Sequence, residues 1–225
     1  MTSLRELRDE VRHYGVRSTL YDVWIRSLNR LFFYRVLCGM KATSPHPEYL
    51  GLDPKYEHGF VAPARLEAIA VAPEYDLSPA FLRGAFAKGD RCYGLLCRGP
   101  GGEDVLASYG WYSRRPTQLY EGLDLHFGDG WVYMYKGYTH RDFRGQRLHA
   151  IGLTLALAQV LEEGACGIVS VVESNNLGSL KSVYRMGFED VGRIRVSRRF
   201  GRWRVSPDDG SRGHGLDVRP AEAAS

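Results

Sequence analysis

The 225-residue chain predicts an α+β domain built on a mixed β-sheet. Two stretches carry that expectation. Arg91 to Cys97 and Val105 to Tyr112 are apolar and aromatic runs joined by Gly99-Pro100-Gly101-Gly102, whose glycines permit a tight reversal, so they read as an antiparallel hairpin. Gly130 to Thr139, the long apolar helix Leu148 to Glu162 and the continuous apolar run Cys166 to Glu173 give strand, helix and strand, which a right-handed crossover turns into a parallel pair. A hydrophobic fraction of 44% with 25% charged residues suits one globular domain. A chain of this length buries roughly 70% of the surface its unfolded form exposes, enough to fold on packing alone.

The remaining elements follow in order. Leu4, Leu7 and Val11 recur at helical spacing within residues 3–13 and predict a short amphipathic helix. Leu20, Val23, Trp24 and Leu28 predict a second helix from Ser18 to Arg30, followed by a strand over Leu31 to Leu37. Residues 42–64, rich in Pro, His, Gly and Glu, read as a long connection, and Arg65 to Val71 as a strand. Ser78 caps a helix with Pro79 in its first turn, its stripe is Phe81, Leu82, Ala85 and Phe86, and Gly89 ends it. After the crossover a short helix, Ser179 to Met186, leads into Gly187-Phe188 and an alternating strand, Gly192 to Phe200. Beyond Val205 apolar residues are too sparse to offset the entropy of ordering, which predicts disorder. The expected division is residues 1–61 as helices and a connection packed on the core, 62–205 as the main domain, and 206–225 as a disordered tail.

Composition removes several function classes. Thirty Lys and Arg against twenty-six Asp and Glu give +4 and a pI near 8.9, short of a dedicated nucleic-acid binder, so no nucleic-acid partner is expected. Cys38, Cys92, Cys97 and Cys166 form no Cys-x-x-Cys pair, the seven histidines form no His-x-x-x-His pair, and neither pattern implies a metal. No Gly-x-Ser-x-Gly elbow is present. The charged N-terminus lacks a signal-peptide run and no apolar stretch reaches membrane-span length, so the expected location is the cytoplasm. Membrane contact is not expected, although a basic amphipathic helix ending in aromatics, as at residues 18–34, is the kind that lies on a membrane surface. Arg193, Arg195, Arg198, Arg199, Arg202 and Arg204 form the main basic run. Alternation with Ile194 and Val196 reads as the solvated face of a strand; the sharper reading is a contact for an acidic substrate, a cofactor phosphate or nucleic acid.

The chemistry shows first in Tyr138-Thr139-His140-Arg141-Asp142-Phe143-Arg144-Gly145-Gln146-Arg147-Leu148-His149, a strand end running through a basic turn into a helix. The free amides and dipole of a helix N-terminus favour a phosphate there, Arg144 and Arg147 add charge, and Gly145 lets the backbone approach closely. The second segment runs from Glu173 to Phe188, with Asn176-Leu177-Gly178-Ser179 opening a short helix that ends in Gly187-Phe188. Following the Arg-Gly turn and the long helix, it resembles the strand-to-helix segment of the GNAT superfamily of acyl-CoA-dependent N-acyltransferases. The resemblance covers about residues 62–200, including the strand Ser108-Tyr109-Gly110-Trp111.

The resemblance implies a mixed sheet splayed open between the strands at 131–139 and 167–173, with coenzyme A's pantetheine in the gap and its pyrophosphate on the turn. It implies transfer of an acetyl group from acetyl-CoA to a small-molecule or peptide amine by direct attack, without a metal. Tyr138, Thr139, Arg144, Gly145, Gln146, Arg147, Leu148, His149, Asn176 and Ser179 become the cofactor-contact candidates; Asn176 is expected to orient the cofactor arm or substrate and Ser179 to cap the short helix. Arg147 and His149 stand where the family signature has Gly and Gly or Ala, so their side chains are expected to point away while the amides keep facing phosphate. Val183 stands where many members place a tyrosine that protonates the leaving thiolate, and its neighbour Tyr184 lies about 100° around the helix. Catalytic candidates are Glu173 and Tyr133, with Tyr135 beside it, as bases acting directly or through water, and Tyr184 as an acid. Two alternatives stay open: a catalytically degenerate ligand-binding protein of the same fold, and an acyltransferase using a longer acyl chain or an acyl-carrier protein. The acceptor and the oligomeric state are not legible.

Overall fold

The hairpin and the crossover both form, and they sit in one sheet. The computed structural model describes residues 4–70 and 72–221. Helices α1 (Leu4–Tyr14) and α2 (Val16–Leu31) lead into β1 (Phe33–Ala42), and β2 (Glu57–Phe60) precedes α3 (Pro63–Ile69) and α4 (Pro79–Lys88). The hairpin is β3 (Arg91–Arg98) and β4 (Asp104–Ser113); β5 (Thr117–Tyr120) and β6 (Leu123–His126) follow it. The crossover is β7 (Trp131–Thr139), α5 (Leu148–Glu162) and β8 (Gly167–Glu173). The chain ends with α6 (Leu177–Arg185), β9 (Glu189–Arg199), β10 (Arg202–Pro207), α7 (Asp209–Gly213) and β11 (Asp217–Pro220).

Eight strands make a mixed sheet in the order β10-β9-β1-β8-β7-β4-β3-β2, and β11-β6-β5 make a small second sheet. Of the pairings in the large sheet, β7 with β8 is parallel. One face is covered by α5 and α6, whose Leu153, Leu157 and Val183, with Met186 just after α6, pack with Met40, Leu95, Val132 and Ile168. The other carries α3 and α4, with Leu66 and Leu82 against Leu106 and Trp111, and beside them the small sheet, with Leu123, Leu125 and Val218 against Leu37, Val169 and Ile194. β8 is buried between these layers, as its unbroken apolar run requires.

Four expectations are corrected. The span from Arg65 is helix α3, not a strand: Pro63 occupies its first turn and Leu66 and Ile69 bury one stripe at three-residue spacing; Val71 lies outside the described residues. The connection after residue 42 contains β2, which pairs with β3. Residues 1–61 supply an interior strand, since β1 lies between β8 and β9 and is antiparallel to both. The expected disorder after Val205 gives way to β10, α7 and β11 as far as Pro220. The tail's few apolar side chains are placed to count: Leu216 and Val218 are buried in the small-sheet core. Asp208 anchors the approach, accepting the Ser211 amide at 2.9 Å and the Arg193 amide at 2.8 Å.

Candidate functional site

β7 and β8 pair over Trp131–Gly167, Val132–Ile168 and Tyr133–Val169, and then part. β8 continues on β1 as far as Glu173 opposite Leu37, while β7 continues on β4 as far as Thr139 opposite Ser108. At the point of parting the buried Ser170 hydroxyl donates to the Met134 carbonyl at 3.0 Å, a side chain taking over where the ladder stops. The β4–β7 register shifts there too, Trp111 facing Lys136 and Tyr112 facing Met134, so Tyr135 is the extra residue of a bulge. The result is a wedge between two strand edges, with the N-terminus of α5 following the end of β7.

The turn that joins them is built by left-handed backbone. Arg144 is extended, with its Nε 3.5 Å from the Thr139 carbonyl. Gly145 has φ +82°, with open space where a Cβ would stand. Arg147, the N-cap of α5, has φ +58° and ψ +17° and makes no side-chain cap bond. A non-glycine residue in this conformation holds the geometry a glycine would adopt freely. Its guanidinium turns outward to the Glu48 carboxylate, and the Gln146 side chain accepts from the Tyr56 hydroxyl at 2.8 Å. The first amides of α5, which have no intrahelical acceptor, are therefore not covered by the cap residue.

His149 turns the other way, under the sheet. A Cβ on Gly137 would fall 2.5 Å from its ring, so the glycine makes room for the imidazole. Tyr93, Ser108, Tyr112 and Leu153 surround it, with a void of about 10 Å³. Burial lowers its pKa and keeps the ring neutral. Leu148 is buried in the core, Tyr138 stacks on Tyr109 with centroids 5.4 Å apart, and the Thr139 hydroxyl is 3.2 Å from that of Ser108. At these positions the side chains make packing or hydrogen-bond contacts within the fold.

At the start of α6 the cap is Asn176, whose Oδ1 accepts the Ser179 amide at 3.1 Å. The expectation that Ser179 caps is thereby corrected, because the helix begins at Leu177, ahead of Ser179. The loop before it is tied to α2: Asn175 donates to Asp22 at 3.1 Å, and the Ser174 and Tyr21 hydroxyls are 3.0 Å apart.

Of the candidate acids and bases, Glu173 lies at the end of β8 with Arg35 Nε 3.0 Å from its carboxylate. Burial and the same carboxylate raise the pKa of Tyr120, so that phenol stays protonated beside it. Tyr133 is buried and its pKa is pushed up by desolvation. Tyr135 is also raised, by burial and by donating to Asp90 Oδ2 at 2.8 Å, an oxygen that Lys88 approaches at 3.0 Å. These three residues share the face of the small sheet. Tyr184 belongs to α6 on the other face, is 47% exposed and donates to Asp190 at 3.1 Å, while Val183 points into the core. Arg35, Tyr120, Ser170 and Asp90 were missed by sequence reasoning; their positions depend on which strands become neighbours, and no local motif marks them. A separate groove of about 890 Å³, lined by Ile69, Tyr75, Cys97, Asp104, His140 and Phe143, borders the start of the turn from the α3 side and does not reach the wedge residues. Among the described residues no group of three or more His, Cys, Asp or Glu side chains is placed to hold a metal ion.

No known family profile and no curated protein sequence matches the chain. Solved structures with a similar backbone include a GCN5-related N-acetyltransferase from Sphaerobacter thermophilus, 14% identical with TM-score 0.49 over 80% of this chain and 55% of that one. A tandem GNAT protein from the clavulanic acid biosynthesis pathway is 13% identical with TM-score 0.49, over 77% and 53%. An acetyltransferase from the GNAT family of Colwellia psychrerythraea is 15% identical with TM-score 0.43, over 76% and 59%. The chain thus spans less than two thirds of the length of each of these proteins.

Proposed function

We propose that the chain transfers an acyl group, acetyl in the first instance, from acyl-coenzyme A to an amine. The observation that carries this reading is the parting of β7 from β8 after three paired residues, with the uncapped N-terminus of α5 following the open end. A wedge between strand edges offers peptide groups to an extended pantetheine arm, and the amides of residues 145–149 with exposed Arg144 suit a diphosphate. The outward guanidinium of Arg147 and the packing of the His149 ring against Gly137 support the reading that these two side chains leave the turn's amides to the diphosphate.

The amine nitrogen would bond to the thioester carbonyl carbon as the C–S bond breaks, coenzyme A leaving as a thiolate that takes its proton from solvent, while the chain holds the thioester and accepts the proton the amine gives up. Tyr133 and Tyr135 are held protonated by burial, and the Tyr135 hydroxyl is given to Asp90, so neither is set to accept the amine's proton. Glu173, the carboxylate that β8 contributes, is left as the acceptor, oriented by Arg35. Tyr184 is engaged with Asp190 on the opposite face and has no part in this scheme.

Calorimetry with acetyl-CoA tests the site: Arg144→Ala should weaken binding roughly ten- to a hundred-fold, the worth of one charge-assisted contact. In turnover with an amine panel, Glu173→Gln should lose ~10²–10⁴ at neutral pH and recover in part as the pH rises, whereas Tyr184→Phe should lose less than about tenfold. A folded protein that takes up no acetyl-CoA would sink the proposal.

A further inference from the structure

Four arginines of β9 and β10 do not serve the wedge, and their register places them on one surface, while Arg198 lies over Trp203 on the opposite face. Side chains alternate along a strand, and residues paired across strands share a face. Arg199 is paired with Arg202, Ser197 with Arg204, and Arg195 with Ser206, so Arg195, Arg199, Arg202 and Arg204 stand on one face of the sheet. All four are exposed, and among the described residues none of them forms an ion pair with an acid, in contrast to Arg193 on Asp190. Ser197 is also paired with Tyr34, which extends that face onto β1, and the Tyr34 ring meets Trp24 of α2 edge-on at 6.2 Å.

Trp24 is the last of an exposed apolar stripe. Val16, Leu20 and Trp24 recur every fourth residue and are 59%, 61% and 51% exposed, with exposed Arg17 beside them. At the tip of the β9–β10 hairpin Phe200 is 90% exposed, and it takes φ +51° in a turn flanked by Arg199 and Arg202. The surface therefore joins bulky apolar groups to cations that lack acidic partners.

We propose that this face docks on an anionic lipid surface, independently of the acyl-transfer reading and against the expectation that the chain avoids membranes. Headgroup phosphates and carboxylates fit the unpaired guanidiniums, and the aliphatic and aromatic tips fit the zone beneath the headgroups. A second copy of the chain fits poorly, since a two-fold contact would set the same arginines against each other. A nucleic acid would use the arginines and aromatics but gives Val16 and Leu20 nothing to bury against. No helix of the described residues is long and apolar enough to cross a membrane, so the contact is one of lying on the surface.

Flotation of the full chain with phosphatidylcholine vesicles, with and without phosphatidylserine, tests this. Binding should require phosphatidylserine and fall with salt. Each basic group near an anionic surface contributes about fivefold, so changing Arg195, Arg199, Arg202 and Arg204 together to Gln should cut partitioning by more than about a hundredfold. Phe200→Ser combined with Leu20→Ser should weaken it at least about tenfold with an unchanged melting temperature. Equal binding to both vesicle types, or binding indifferent to the Gln changes, overturns the proposal. So does a single-stranded oligonucleotide that binds while vesicles do not and is released by the same changes, which assigns the face to nucleic acid. Self-association abolished by the Leu20 change, with no vesicle binding, overturns it as well.

Discussion

Arg147 offers a test of the turn that separates backbone from side chain. It holds φ +58° as the N-cap of α5, and its guanidinium reaches Glu48 across the surface. Left-handed backbone costs a residue with a Cβ about 1–2 kcal/mol, which glycine does not incur. The ion pair is exposed on both sides, at 65% and 53%, so its loss should cost only about 0.2–0.5 kcal/mol. Arg147→Gly should therefore stabilise the protein by about 0.5–1 kcal/mol after the unfolded chain's added freedom is subtracted. Arg147→Ala, which keeps the Cβ and loses the pair, should destabilise it by a few tenths. In a chain of this size 1 kcal/mol moves the melting temperature about 2–4 °C, so calorimetric scans should order the variants glycine, wild type, alanine. If acetyl-CoA is held by the amides, the glycine variant should keep its affinity within a few-fold. Should the glycine variant melt below the alanine variant, residue 147 is not left-handed in solution, and the account of the turn fails.

Two further perturbations follow from the same geometry. Asn176→Ala should cost about 1 kcal/mol, a drop of about 2–4 °C in melting temperature, while Ser179→Ala should leave it unchanged; the reverse order would return the cap to Ser179. Burial holds the pKa of His149 below its unfolded value of about 6.5. Its contribution to stability is therefore present above that value and is lost as the pH falls toward the folded pKa. Melting temperatures should fall from pH 7 toward pH 5, and His149→Gln should flatten that slope; an equal slope in the variant would show that the ring is freely protonated in the fold.

What could be read from the sequence was local. The hairpin, the crossover and the long helix announce themselves by glycine placement and by apolar runs long enough to fix a period. The stretch Arg65-Leu66-Glu67-Ala68-Ile69-Ala70-Val71 is too short for that: its apolar residues fit alternation and helical spacing alike, and the deciding signal is Pro63 just upstream. Asn176 and Ser179 are both good caps three residues apart, so composition does not choose between them. The turn and the strands that border the wedge were legible because they are contiguous in sequence. The Arg35 partner of Glu173 was not, because it comes from β1, whose place between β8 and β9 is set by packing over the whole chain.

The C-terminal residues around Leu216 close over that same strand, which predicts that they cannot be removed without loss of stability. Gly39 of β1 sits beneath the tail: a Cβ there would lie 2.8 Å from Leu216 Cδ1 and 3.1 Å from Val191 Cγ2. Leu216 and Val218 are buried, and each such side chain contributes roughly 1.5–3 kcal/mol. Ending the chain at Val205 should remove about 3–6 kcal/mol, a large part of a domain's ordinary 5–15 kcal/mol. The contact itself is tested by a double-mutant cycle read in chemical denaturation. Gly39→Ala should destabilise by about 1–3 kcal/mol through overpacking, and Leu216→Ala by about 2–5 kcal/mol through the cavity it leaves. Because the second change makes room for the methyl group of the first, the double variant should be more stable than the sum of the two losses implies, by at least about 0.5 kcal/mol. Strict additivity would mean that Leu216 and Gly39 do not touch, and that the tail does not close over the first strand.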